Sequence, residues 1–143
     1  MKFNYTVTIQ QPIDVVVQAF EDPEVMKICQ DGFKEIIPIS EQQGEKGATA
    51  KFIYDKFELI ETIIEHNLPG VFIGHYEHKY SSNTMKVCFK AIDDSTTEYY
   101  TEIDYLEFRG VFMKTMAFIA PSWFKTQVKK WVDRFKVHLE TRS

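Results

Sequence analysis

Two carboxylates, Glu102 and Asp104, stand two residues apart in a stretch that alternates like a β-strand. Side chains two apart on a strand share a face. Tyr100, Glu102, Asp104, Leu106 and Phe108 therefore form one set, and Tyr99, Thr101, Ile103, Tyr105 and Glu107 the other. In an apolar space such a carboxylate pair would be pushed toward its protonated form unless a cation or hydrogen bond compensated. It would then serve as a polar ligand anchor or as a general acid/base, with His78 and Tyr100 as partners. At an open strand end the same groups would be wetted or paired with a surface lysine, and a register slip of one residue would turn both outward.

Other chemistries find less support. His75 and His78 are three apart, which on a strand places them on opposite faces, and His66 and His138 add no ligand spacing, so no metal is expected. There is no GxGxxG, P-loop or GxSxG motif, hence no nucleotide site, no serine nucleophile and no expected cofactor. Cys29 and Cys88 form no CxxC pair and read as thiols of a cytoplasmic protein. A net charge of −4 argues against nucleic acid as a partner. The charge is uneven: from Arg109 onward eight Lys/Arg face two acids, whereas the first 108 residues carry nine against nineteen.

The 143 residues suit one domain, 1–143, without internal repeats or linkers. No apolar run is long enough to span a membrane, and the N-terminus lacks the apolar segment of a secretory signal. Twelve Phe, seven Tyr and two Trp must be packed or must line something. Residues 2–10 alternate as a strand; Pro12 opens a short helix with the stripe Ile13, Val16, Val17, Phe20; Asp22-Pro23 starts a second, ending near Cys29. Strands are expected at 33–40, 48–54, 57–66, 71–80, 86–92 and 98–108, separated by polar or Gly/Pro turns, hence an antiparallel sheet. Residues 111–120 are apolar, Pro121-Ser122 interrupt them, and Phe124, Val128, Trp131, Val132, Phe135 and Leu139 then recur at helical spacing. A helix over 122–140 would be about 30 Å long, enough to cross a curved sheet.

That order, with Gln11-Pro12-Ile13-Asp14, Phe20-Glu21-Asp22-Pro23-Glu24, the Gly44 and Gly47 turn, Asn67-Leu68-Pro69, Phe108-Arg109-Gly110-Val111 and Ala120-Pro121-Ser122-Trp123, resembles the START-like (SRPBCC, polyketide cyclase/dehydrase-like) superfamily over essentially the whole chain. The resemblance implies an α+β helix-grip fold. In it a curved antiparallel sheet of six or seven strands wraps a long C-terminal helix, with two short helices after the first strand. It also implies a cavity between sheet and helix that takes an apolar small molecule. No catalytic signature is common to the superfamily.

Matching the approach to Gly110 with the superfamily pattern turns Tyr100, Glu102, Asp104 and Leu106 inward. Phe72, Tyr76 and His78 from 71–80, Phe89 from 86–92 and Phe52 with Tyr54 complete the expected lining. Met113, Met116, Phe124 and Val128 would form its roof. The leading expectation is binding of a lipid-like or aromatic small molecule. The alternatives are a cyclase, dehydratase or isomerase using an inward carboxylate, and a protein-interaction module with a closed core. The basic face Lys125, Lys129, Lys130, Arg134, Lys136 with Trp123 and Trp131 admits two readings, contact with an anionic membrane or a solvated face answering the acidic sheet, and the second is preferred.

Overall fold

The computed structural model describes residues 1–142. Strand β1 (Lys2–Ile9) is followed by helices α1 (Ile13–Phe20) and α2 (Pro23–Cys29). Six strands come next: β2 (Phe33–Pro38), β3 (Thr49–Tyr54), β4 (Glu58–Asn67), β5 (Val71–His78), β6 (Ser81–Asp93) and β7 (Thr96–Phe108). Helices α3 (Val111–Ile119) and α4 (Ser122–Glu140) end the chain. The strands form one antiparallel sheet in the order β1-β7-β6-β5-β4-β3-β2, so the first strand closes on the last and β2 is the far edge.

Local signals account for most boundaries. The Asp22 carboxylate accepts from the Glu24 N–H at 2.9 Å and Pro23 occupies the first helical turn, which fixes the start of α2. Gly110 ends β7 with φ of 82°, a conformation that a side chain would strain, and α3 starts immediately after it. The β6–β7 turn is tighter than the four polar residues suggest. Asp93 accepts from the Ser95 N–H at 2.9 Å, so pairing resumes at Thr96. Strand β6 also begins earlier than its apolar pattern does. Ser81 to Met85 look like loop residues, but β5 and β7 pair with them on both sides.

Two clusters fill the space between sheet and helices. The larger joins Val16 and Ala19 of α1, Val132, Phe135 and Leu139 of α4, and Ile9, Ile63, Phe72, Val87, Phe89 and Tyr99 of the sheet. The smaller gathers Phe33, Ala50, Phe52 and Tyr54, with Met26, Leu59 and Trp131 against it. Each fully buried aliphatic or aromatic side chain contributes about 1.5–3 kcal/mol, so the α4 stripe Phe124, Val132, Phe135 and Leu139 anchors that helix strongly. The backbone of α4 comes nearest to β1 and α2, and over the middle of the sheet its contacts run through rings.

Candidate binding site beneath the terminal helix

Strand β7 carries the main correction to the expected lining. Tyr99, Thr101 and Ile103 are the buried residues, and Tyr99 meets Phe135 of α4 edge-on at 5.6 Å. Tyr100, Glu102 and Asp104 point to the opposite, outer face. There Glu102 pairs with Lys2 at 3.4 Å and accepts from the Tyr100 hydroxyl at 3.3 Å. Leu106 is 55% exposed. The cause is a β-bulge: Ser82 opposes Glu107 but Asn83 opposes Tyr105, so Leu106 is an extra residue without a partner. Tyr105 and Phe108 therefore share the inner face, stacked at 5.2 Å and both against Phe124. Phe108 does face inward, as expected, but the bulge inverts the alternation for everything before it.

The inward carboxylate is instead Glu61 of β4. It lies directly across from Tyr76 of β5 and from Ala50 of β3, all on the inner face. The Tyr76 hydroxyl donates to Glu61 at 2.7 Å. This geometry needs a neighbour without a side chain. The Tyr76 ring folds back over Gly74, where a Cβ would sit 2.7 Å from the hydroxyl oxygen and 2.9 Å from two ring carbons. Burial raises the pKa of Glu61, opposed by the Tyr76 hydrogen bond and by His66. Burial likewise pushes the Tyr76 phenol well up, reinforced by the Glu61 charge. The pair occupies the seam between the two apolar clusters, where it can present a carboxyl and a phenol to a guest or share one proton.

Around this pair the polar groups thin out. Tyr54 donates to Gln30 of the α2 C-cap, and its ring lies parallel to Phe57 at 4.4 Å and to Trp131 of α4 at 6.1 Å. Among the described residues, the buried Trp131 Nε1 and Thr101 Oγ1 have no hydrogen-bond partner. Tyr105, held at about 12 by burial, completes the inner row that runs from Glu61 through Tyr76 and Asn83. At the end of β5, His78 accepts from the Tyr80 N–H at 3.0 Å, and burial and Arg109 hold its pKa down. Arg109 itself is fixed by Glu77, Glu107 and the His78 carbonyl.

The other expected lining residues divide. Phe52, Tyr76 and His78 lie around the seam, with Phe52 meeting Tyr76 at 6.2 Å, and Phe124 and Val128 lie above. Phe72 and Phe89 face inward at the far end, where both pack on Phe20 of α1 at 5.8 and 5.4 Å, away from Glu61. Met113 and Met116 are half-buried on α3. Two surface concavities among the described residues lie outside the grip. One of about 590 Å³ is bounded by Ile28, Lys130, Asp133, Arg134, Val137 and His138, and one of about 340 Å³ by the 40–48 loop. Beneath α4 the sheet and helix are bridged by rings at Tyr99–Phe135, Tyr54–Trp131 and Tyr105–Phe124.

Solved structures share this arrangement of strands and helices. The Zhui aromatase/cyclase from a Streptomyces species superposes with a TM-score of 0.80 at 11% identity, over 99% of this chain and 94% of that one. Ara h 8.0201 gives 0.74 at 10% identity, over 99% of both chains. A hypothetical protein from Helicobacter pylori gives 0.74 at 14%, over 97% of this chain and 88% of that one. The chain has the START-like helix-grip fold. At these identities the likeness is one of fold alone. No family model matches the sequence, and no curated protein matches it.

Proposed function

We propose that this helix-grip protein, one domain over 1–143, binds an apolar small molecule, lipid-like or aromatic, between its sheet and α4, with Glu61 and Tyr76 as the polar anchor. The observation that carries the reading is the half-buried Glu61 carboxylate bonded to the buried Tyr76 hydroxyl, in a seam lined by Phe52, Tyr54, Leu59 and Trp131. A closed core would gain nothing from a carboxyl group there, since burying it costs free energy that an apolar side chain would not. A ligand hydroxyl or carbonyl would complete the hydrogen bonding of the carboxyl and of Trp131 Nε1, while its body replaced ring contacts. Entry requires the Tyr54–Trp131 stack to part, because those rings close the grip over this half of the sheet. The name of one similar structure, an aromatase/cyclase, supports the cyclase alternative for this fold.

Native mass spectrometry of freshly purified protein tests the reading. A retained small molecule, lost in Glu61→Gln/Tyr76→Phe while the fold persists, is the expected result. Protein free of adducts, whose thermal midpoint no member of an aromatic and fatty-acid panel moves, would refute it. One observation favours a second reading, proton transfer of the cyclase, dehydratase or isomerase type. Glu61 combines a raised pKa with a phenol hydrogen bond, as a general base with a neighbouring acid would. Turnover whose pH profile shifts in Glu61→Gln would select that reading over simple binding.

A further inference from the structure

Helix α3 is built inside out. Its nine residues, VFMKTMAFI, are almost all apolar, yet none is buried. Val111, Phe112, Phe118 and Ile119 are 83%, 74%, 88% and 71% exposed. At 100° per residue these four, with Thr115, fall in an arc of about 120° that points away from the body. Met113, Met116 and Ala117 occupy the inner side and are half-buried. Trp123, 54% exposed and edge-on to Phe124, extends the apolar surface around the corner into α4. Contiguous surface of this kind is rare on a protein that works alone in water.

Charge says what covers it. Between Glu107 and Asp133 the sequence holds no acidic residue, and Lys114 and Lys125 flank the apolar face. Both are exposed, and neither has an acidic partner among the described residues. Lys114 lies at the edge of the α3 arc, and Lys125 follows Trp123. Of the cations farther along α4, Lys130 and Arg134 bind Asp31, Lys136 binds Glu140, and Lys129 lies over the Tyr5 ring at 5.2 Å. A second copy of the chain would bring lysines against lysines, whereas an anionic lipid surface would attract them and receive the rings. An exposed tryptophan beside them suits the headgroup level. No described helix is long and apolar enough to cross a membrane, so α3 would lie in the interface plane.

We propose that α3 and the Trp123 corner form an interfacial anchor that docks the protein on anionic lipid surfaces, whatever the interior of the grip holds. The test is co-sedimentation with vesicles of phosphatidylcholine containing roughly one quarter phosphatidylglycerol, beside vesicles of phosphatidylcholine alone. Binding to the anionic vesicles is expected, weakened by salt and accompanied by a blue shift of fluorescence that Trp123→Phe removes. Phe112→Ser and Phe118→Ser should each weaken binding by about tenfold, and Lys114→Gln by a smaller factor. The thermal midpoint should hold in all of them, since none of these side chains is buried. Failure to bind, equal binding to neutral vesicles, or a concentration-dependent dimer that Phe118→Ser dissolves would each overturn the proposal.

Discussion

Gly74→Ala gives the sharpest test of how the inner face is built. In the middle of a strand an alanine that fits gains roughly 0.5–1 kcal/mol over glycine, because the unfolded chain has less freedom to lose. Gly74 has no positive φ that would forbid a side chain, so backbone conformation alone predicts stabilisation. The Tyr76 ring predicts the reverse. A methyl group placed 2.7 Å from its hydroxyl oxygen and 2.9 Å from two ring carbons must push the ring off Gly74. Overpacking of that sort costs about 1–3 kcal/mol. Moving the hydroxyl also leaves the half-buried Glu61 carboxyl without its donor, a further 1–3 kcal/mol or so. Set against the backbone gain, the net loss is about 1–5.5 kcal/mol. At about 4 °C per kcal/mol for a chain of this length, the midpoint should fall by roughly 4–22 °C. Urea unfolding with the slope held constant is the assay. Because Tyr76→Phe already lacks the donor, the double variant Gly74→Ala/Tyr76→Phe should lose less than the sum of the singles. A midpoint that stays level or rises, or strict additivity, would refute the claim that Gly74 exists to let Tyr76 reach Glu61.

Glu61 itself should make stability depend on pH. Its folded pKa is raised by burial, so the folded state binds the proton more tightly than the unfolded chain does. That contribution is fully present below the unfolded value near 4.3 and is lost as pH rises through the raised folded value. Denaturation midpoints across that window should fall with pH less steeply in Glu61→Gln than in the parent. Glu102→Gln, by contrast, should shift stability by under about 0.5 kcal/mol, because the Lys2 pair it loses is a surface one on the outer face, and it should leave any retained ligand in place. Phe135→Ala empties the contact between α4 and Tyr99 and should cost about 3–5 kcal/mol by chemical denaturation, with the helix content of the native state unchanged.

The fold was legible because its signals are local and mutually consistent. Asp22-Pro23 starts a helix by capping it, Gly110 ends a strand by its φ, and the stripe from Phe124 to Leu139 fixes which side of α4 is buried. The polar start of β6 was not legible, since Ser81 to Thr84 pair only because two neighbouring strands already flank them. The inward direction of Tyr76, His78 and Phe52 was readable because β5 and β3 run without interruption past them.

Strands β4 and β7 carry bulges, and both hide the carboxylate that faces inward. On β7 the extra residue at Leu106 separates Phe108, whose inward place was correct, from Glu102 and Asp104, whose place was inferred from it. On β4 the irregularity falls between Ile63 and Glu65, so Leu59, Glu61 and Ile63 face inward while Ile60 and Ile64 are exposed on the outer side. With isoleucines on both faces, alternation cannot choose between them. The adjacent pair Ile63-Ile64 was the one trace in the sequence of a broken period. A bulge changes no residue type and only local pairing, yet it exchanges the two faces of a strand. Here the extra residue at Leu106 turns Glu102 outward, where Lys2 holds it at the surface, and leaves Glu61 beside Tyr76 as the carboxyl group of the inner face.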